Sequence, residues 1–331
     1  MQKKIIALAI ASAISAPAFA DNANVTIYGK AFLTLDQVTT NKTGEFDHKR
    51  VNTNASRFGV KGSEDLGDGL KAVYQYEVEM DADGNAGNGL GKTRNSGVGI
   101  ESEFGKVMLG IWDSPFKTAH NKIELFDNTT NWSSTKTIGI SAGKDYNTRQ
   151  KNMIQYWSPK FVGVQIAAMY SPDEAPTATT NKSVMSFSGT FDQDDIYASV
   201  AYESRSDYVT AGKTDSALRA VGKYTLGDFW VGGMFENITT NSSATKSVTG
   251  SNMELVGGMK MGASSLAASY AMAGSTASAP TADNDVNQLS LKYGYSFSKR
   301  TEVFAAYASQ TANATTSVTK SYIGGGIVHS F

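Results

Sequence analysis

The chain has 331 residues, 30 Lys and Arg against 31 Asp and Glu, 32 glycines, 15 each of Tyr and Phe, and no cysteine. The missing cysteines exclude disulfides, thiolate metal sites and a cysteine nucleophile. The near-neutral charge argues against a nucleic-acid partner, which selects a strongly basic surface.

The N-terminus reads MQKKIIALAIASAISAPAFADN. Lys3 and Lys4 form a short positive region, Ile5 to Ile14 is apolar, and Ala18-Phe19-Ala20 is an A-x-A site. That order predicts a cleaved secretory signal peptide over residues 1–20 and a mature domain over 21–331, since the apolar run is too short to span a bilayer as a helix. Removing the leader leaves 28 basic side chains against 31 acidic, a net charge of −3. No later run approaches 18 apolar residues, so no transmembrane helix is expected. Mean hydropathy is −0.28. A β-barrel reaches such a value as well, because lipid-facing and lumen-facing residues alternate and average out.

Strand alternation begins at once. Val25, Ile27, Gly29, Ala31 and Leu33 alternate with Thr26, Tyr28, Lys30, Phe32 and Thr34. Ala72, Tyr74, Tyr76, Val78 and Met80 alternate with Lys71, Val73, Gln75, Glu77 and Glu79. Near the end, Leu289, Leu291, Tyr293, Tyr295 and Phe297 share one face, and the chain closes on alternating Ile323, Gly325, Ile327, His329 and Phe331. Period-two alternation fits a sandwich with one wet face or a barrel with lipid outside and a polar lumen.

The connections decide between these two. Short, turn-rich ones fall at residues 66–69, 103–106, 158–163, 192–195, 226–228, 261–264 and 297–300, where Gly, Pro and Asp supply the turn chemistry. Long polar ones fall at 39–50, 81–93, 113–145, 171–182, 206–213, 237–248, 274–285 and 311–318. Seven short turns and eight long loops divide the mature chain into sixteen strands. An even strand number with loops sorted by length is the plan of an outer-membrane barrel, and sixteen strands enclose an aqueous lumen. The fold expected is all-β, a 16-stranded antiparallel transmembrane barrel without an internal domain boundary.

The third long loop, 113–145, runs about 33 residues with no clear strand. A structureless stretch of that length inside a compact domain is usually functional. It is expected to fold into the lumen and narrow it, with Glu124 and Asp127 facing arginines on the wall. Arg57 shares a face with Gly59 and Lys61, opposite Phe58 and Val60, and Arg149 shares one with Lys151, opposite Ile154 and Tyr156. Both therefore point to the lumen. Charge in a narrow passage with low-dielectric walls focuses the field, and Lys30, Lys61, Lys71, Glu77 and Lys151 are expected as further pore-lining residues.

Several stretches then form a pattern in a fixed order: VTIYGK near the start, NASRFGVKGSEDLGDGLKAVYQYE (54–77), RNSGVGIESEFGKVMLG (94–110), DSPFK (113–117), NMIQYWSPKFVGVQ (152–165), SFSKRTEVFAAYA (296–308) and the ending IVHSF. Across essentially the whole mature chain this resembles the trimeric general porins of Gram-negative bacteria, closest to the beta-proteobacterial type. The resemblance implies a homotrimer in the outer membrane, in contact with lipid and lipopolysaccharide, that passes small hydrophilic solutes and ions by diffusion. It implies that loop 113–145 forms the constriction, with Asp113 at its start, and that Arg57, Arg94 and Arg149 face it from the wall. Relatives usually carry Arg after Leu-Gly, where this chain has Ile111. That removes one positive charge from the cluster, so only a weak anion preference is expected.

No enzymatic chemistry, metal or cofactor is expected. Residues 86–93 fit a relaxed phosphate-loop pattern, but that mechanism needs a strand before it and a helix after it. His48, His120 and His329 are widely spaced and give no metal-ligand grouping. Asp81 and Asp83 lack the later Glu of a calcium loop, and no G-x-S-x-G elbow occurs. The competing classes are an outer-membrane barrel enzyme, which would need a nucleophile and base at the rim, and a secreted β-rich binding module, which has no reason to sort its loops.

Overall fold

The structure, a computed structural model, describes residues 24–84, 89–141, 144–274, 285–313 and 317–331. The expected leader lies outside the described residues, as do residues 86–88 at the start of the 86–93 pattern and most of the loop at 274–285.

Among the described residues, sixteen antiparallel strands form one closed barrel. They are β1 (Asn24–Thr40), β2 (His48–Thr53 continuing as Arg57–Gly67), β3 (Leu70–Met80), β4 (Leu90–Thr93 continuing as Ser96–Ser102), β5 (Gly105–Asp113), β6 (Arg149–Trp157), β7 (Val164–Ser171) and β8 (Ser183–Gln193). The second half comprises β9 (Ile196–Ser206), β10 (Thr214–Leu226), β11 (Phe229–Asn241), β12 (Ser247–Met261), β13 (Ser264–Ala273), β14 (Asp285–Ser298), β15 (Thr301–Asn313) and β16 (Val318–Ser330). Each strand pairs with the next in sequence, and β1 pairs back onto β16 from Lys30↔Ser330 to Thr40↔Lys320. The seven short turns lie at one end and the longer connections at the other, as the sequence predicts.

The polarity of the barrel is inverted relative to a soluble protein. Exposed positions include Ile27, Leu35, Leu109, Ile166, Val200, Leu255 and Ile327, while Asp36, Glu203, Arg219, Glu236 and Gln288 are buried inside. An apolar exterior on this scale is not tolerated in water and marks a membrane-facing surface. The last residue seals the seam. Phe331 exchanges backbone hydrogen bonds with Gly29 at 3.0 and 3.1 Å, and its ring covers Gly29 where a Cβ would otherwise stand.

Three of the inner-wall strands are interrupted. In β2, Ala55 takes a left-handed backbone (φ 50°), and Ser56 Oγ accepts the Phe32 N–H at 2.9 Å and donates to the Phe32 carbonyl at 3.1 Å. β4 breaks at Arg94 and Asn95, and Ser96 Oγ takes the Glu77 N–H at 2.9 Å. β6 bulges between Gln150 and Met153, around left-handed Asn152. Bulges bend a strand and re-aim its side chains. Each of these lies beside one of the three arginines, Arg57, Arg94 and Arg149.

The loop after β5 supplies the protein's apolar core. It contains a short helix, α1 (Pro115–Thr118), a 3-10 turn (Ser134–Lys136) and a small ribbon pairing Ile140–Ser141 with Lys144–Asp145, so it is more ordered than its sequence suggests. Ser114 caps α1 through Oγ and Pro115 occupies its first turn, which fixes where the chain leaves the wall. Phe116, Ile123 and Ile138 pack with Tyr197, Val221 and Ile238 of the β9–β11 wall. Phe126 and Trp132 pack with Phe32, Phe304 and Tyr322 near the seam. The loop therefore crosses the inside of the barrel. Each large apolar side chain buried there contributes about 1.5–3 kcal/mol.

Candidate functional site

The loop is fastened to one side of the barrel by polar contacts. Arg219, fully buried on β10, donates to Glu236 at 2.7 Å, to the Phe116 carbonyl at 3.1 Å and to Asn147 Oδ1 at 2.9 Å, and its guanidinium lies 4.1 Å from the Phe116 ring centroid. Glu236 also accepts the Gly139 N–H at 2.9 Å. Arg205 holds Glu203 at 2.8 Å and the Asp145 carbonyl at 3.0 Å while stacking on Tyr146. Tyr197 OH donates to the Ala119 carbonyl at 2.7 Å, Thr137 OH to Gln288 at 2.9 Å, and Trp132 Nε1 to the Tyr322 carbonyl at 3.1 Å. These anchors sit on β9–β11, β14 and β16. The loop is thereby held against that wall, and its free face looks across at β1–β6.

A polar cavity of about 650 Å³ remains between the loop and β1–β6. Its lining includes six basic side chains, Lys30, Arg57, Lys61, Arg94, Lys117 and Arg149, and three carboxylates, Glu77, Asp113 and Asp127, a formal charge of +3. They form three linked groups. Asp127, on the loop, pairs with Lys30 and lies 3.7 Å from Arg57. Glu77 pairs with Arg94 at 2.7 Å, faces Arg57 at 3.8 Å and accepts the Tyr28 hydroxyl at 3.1 Å. Asp113 pairs with Lys117 at 2.6 Å and Arg149 at 3.2 Å, and Asn95 donates to it at 3.1 Å while accepting from Arg149 at 2.9 Å. Fixed pairing holds these flexible side chains in one geometry between the loop and the wall.

Eight of the expected residues meet here: Arg57, Arg94, Arg149, Asp113, Asp127, Lys30, Lys61 and Glu77. Three do not. Glu124 faces no arginine. It is buried under the loop, accepts the Phe126 N–H at 2.8 Å and the Ser134 hydroxyl at 3.3 Å, and lies 3.9 Å from His120. His120 in turn contacts Glu254 of β12 at 2.5 Å. The left-handed turn at Asp127 and Asn128 sends Asp127 toward the open wall and leaves Glu124 behind. Lys71 is exposed near the short-turn end, in register with Asp65 and Glu101. Lys151 is exposed within the β6 bulge, where strict alternation from Arg149 fails.

Sequence reasoning missed Lys117, Asn95 and Tyr28. Lys117 was accessible, because it stands four residues after Asp113 across a Ser-Pro start, a spacing that places the two on one helical face. It supplies a cation where Ile111 provides none.

Burial, reinforced by Glu254 and opposed by His120, raises the pKa of the Glu124 carboxyl above its ordinary value of 4.5. A raised pKa stabilises the docked loop below that ordinary value, and the contribution is lost as pH rises through the elevated one. The wild-type barrel is thus expected to become less heat-resistant from weakly acid toward alkaline pH. Glu124→Gln, which mimics the neutral form, is expected to flatten that slope. Thermal unfolding midpoints across this pH range check it, and an unchanged slope in the variant would remove Glu124 as its source.

The comparisons with known proteins agree with the barrel fold. A family model described as Gram-negative porin matches residues 7–315. "Outer membrane porin protein 32" of Delftia acidovorans is 28% identical over 335 residues, covering 93% of this chain and 89% of that protein. "Major outer membrane protein P.IB" of Neisseria sicca is 26% identical over 340 residues, covering 92% and 93%. Among solved structures, an anion-selective porin from Comamonas acidovorans superposes with a TM-score of 0.82 at 21% identity, covering 94% of this chain and all of that one. A trimer form of OmpT from Vibrio cholerae superposes with a TM-score of 0.69 at 16% identity, covering 94% and 100%.

Proposed function

Because the chain belongs to the Gram-negative porin family and resides in the outer membrane, we propose that its barrel passes small hydrophilic solutes and ions by diffusion, filtered between loop 113–145 and Arg57, Arg94 and Arg149. The chain is a porin and not an enzyme. The observation that carries the filter is the excess of six cations over three carboxylates in the 650 Å³ passage. Charges of one sign in a narrow channel raise the local concentration of counter-ions, so the filter favours anions. The preference is weak because half of the cationic charge is compensated in place. The arrangement also creates a transverse field, with Asp127 on the loop and Lys30, Arg57 and Arg94 on the wall. Such a field orders water and penalises apolar solutes. A trimeric assembly, a leader at residues 1–20 that directs export, and contact with lipid and lipopolysaccharide complete the proposal. The trimer reading is supported by the trimer form among similar structures.

Single-channel recording in a planar bilayer, with the reversal potential taken across a salt gradient, tests this reading. Conductance arriving in steps of three with an anion-side potential is expected. A cation-side potential would hand the filter to Glu77, Asp113 and Asp127, and no conductance from folded protein would overturn the channel reading. On a gel, the assembly is expected to migrate as a large species until boiled.

A further inference from the structure

On the short-turn side of the filter, the wall carries a second feature that charge filtering does not require. Trp112 and Trp157 meet edge to face, with ring centroids 5.8 Å apart. Lys106 Nζ lies 4.6 Å from the Trp157 centroid and 5.9 Å from that of Trp112. Lys61 Nζ lies 5.2 Å from the Tyr28 ring. A cavity of about 380 Å³ opens along Lys61, Lys106 and Trp112, and Lys61 and Trp112 also line the filter cavity. A solute leaving the filter on this side therefore passes across them. Glu101 faces Lys106 across the β4–β5 pair and is the carboxylate of this cavity.

From this arrangement we propose a binding subsite for aromatic carboxylates, formed by Lys106 and Lys61 with the ring surface of Trp112, which Trp157 braces edge to face while holding Lys106, and resting on the anion filter proposed above. The argument is one of complementary chemistry. A small aliphatic anion would use the two ammonium groups and leave the indoles idle. A neutral aromatic would use the indoles but is penalised by the charged filter it must cross. Only a solute with both a carboxylate and a flat apolar face engages every group. Its carboxylate meets the lysines while its ring stacks on, or meets edge-on, an indole in the offset and edge-to-face geometries that aromatic pairs prefer. The volume lies within the range of small-ligand sites, and an open, weak site suits a channel because a solute must leave as readily as it enters.

The test uses the full folded channel in a planar bilayer carrying chloride current, with benzoate, acetate and glucuronate added in turn. Benzoate is expected to interrupt the current at about tenfold lower concentration than acetate, the size of one aromatic contact. Trp157→Leu is expected to weaken the benzoate effect about fivefold while leaving the chloride reversal potential and the acetate effect unchanged. Lys106→Gln is expected to weaken benzoate more than acetate, and heat-dependent gel migration confirms that both variants fold. Equal action of benzoate and acetate, insensitivity of the benzoate effect to Trp157→Leu, or stronger action by glucuronate would each overturn the aromatic subsite. A chloride reversal potential on the cation side would overturn the anion filter instead, so the two failures are distinguishable.

Discussion

Replacing Arg219 by Met is expected to cost about 3–5 kcal/mol and to release loop 113–145, because it leaves a buried carboxylate without its cation. Glu236 is fully buried and keeps only the Gly139 N–H and the Asn252 amide, at 2.9 and 2.6 Å. The same change removes the donors to the Phe116 carbonyl and Asn147, which hold the two ends of the loop. Heat resistance of the folded barrel should fall by roughly 10 °C, and open-channel conductance should rise and become noisier as the loop leaves the lumen. Adding Glu236→Gln should recover part of the heat resistance, since the buried charge goes with it. Arg300→Met, at an exposed turn, is the comparison. An Arg219 loss no larger than that one would mean the node does not secure the loop.

The strands and their closure were legible because both signals are local. Alternation marks which side chains face lipid, and Gly, Asp and Pro mark the turns, so sixteen strands could be counted without tertiary information. The position of Arg57 followed from the same parity. What parity could not supply were the interruptions. Nothing in the sequence around Asn152 announces the bulge that takes Lys151 out of step with Arg149, because a left-handed Asn is decided by how β5 and β6 meet. Glu124 and Asp127 stand three residues apart in an irregular loop with no period to separate them. Their opposite fates depend on a turn at Asp127 and on His120 and Glu254, the latter 130 residues further on. The family resemblance located the loop and its arginines. It did not name Lys117, although the Asp113–Lys117 spacing across a capped helical turn was readable.

Arg57→Glu is expected to move selectivity further than any other single substitution in the filter. Among the wall arginines, Arg94 is paired with Glu77 at 2.7 Å with both side chains nearly buried, so Arg94→Glu would place two carboxylates in contact and put folding at risk. The side chain of Arg57 is 23% exposed and lies 3.8 and 3.7 Å from Glu77 and Asp127. It lines the cavity, and both of its carboxylate partners keep a closer cation, Arg94 for Glu77 and Lys30 for Asp127. The charge reversal takes the lining from +3 to +1 and concentrates the remaining negative charge where loop and wall approach. A unit charge about 5 Å from a passing ion contributes on the order of 1 kcal/mol in water, less after screening by salt. Because it acts with opposite sign on cations and anions, the anion-to-cation permeability ratio should fall roughly tenfold. Glu77→Gln, which takes the lining to +4, should raise the same ratio. Reversal potentials measured at low and high salt distinguish this from a change of pore size, because screening must shrink a charge effect and leaves a steric one in place. Shifts of the same sign in both variants, or shifts that do not weaken with salt, would show that the basic wall is not the filter.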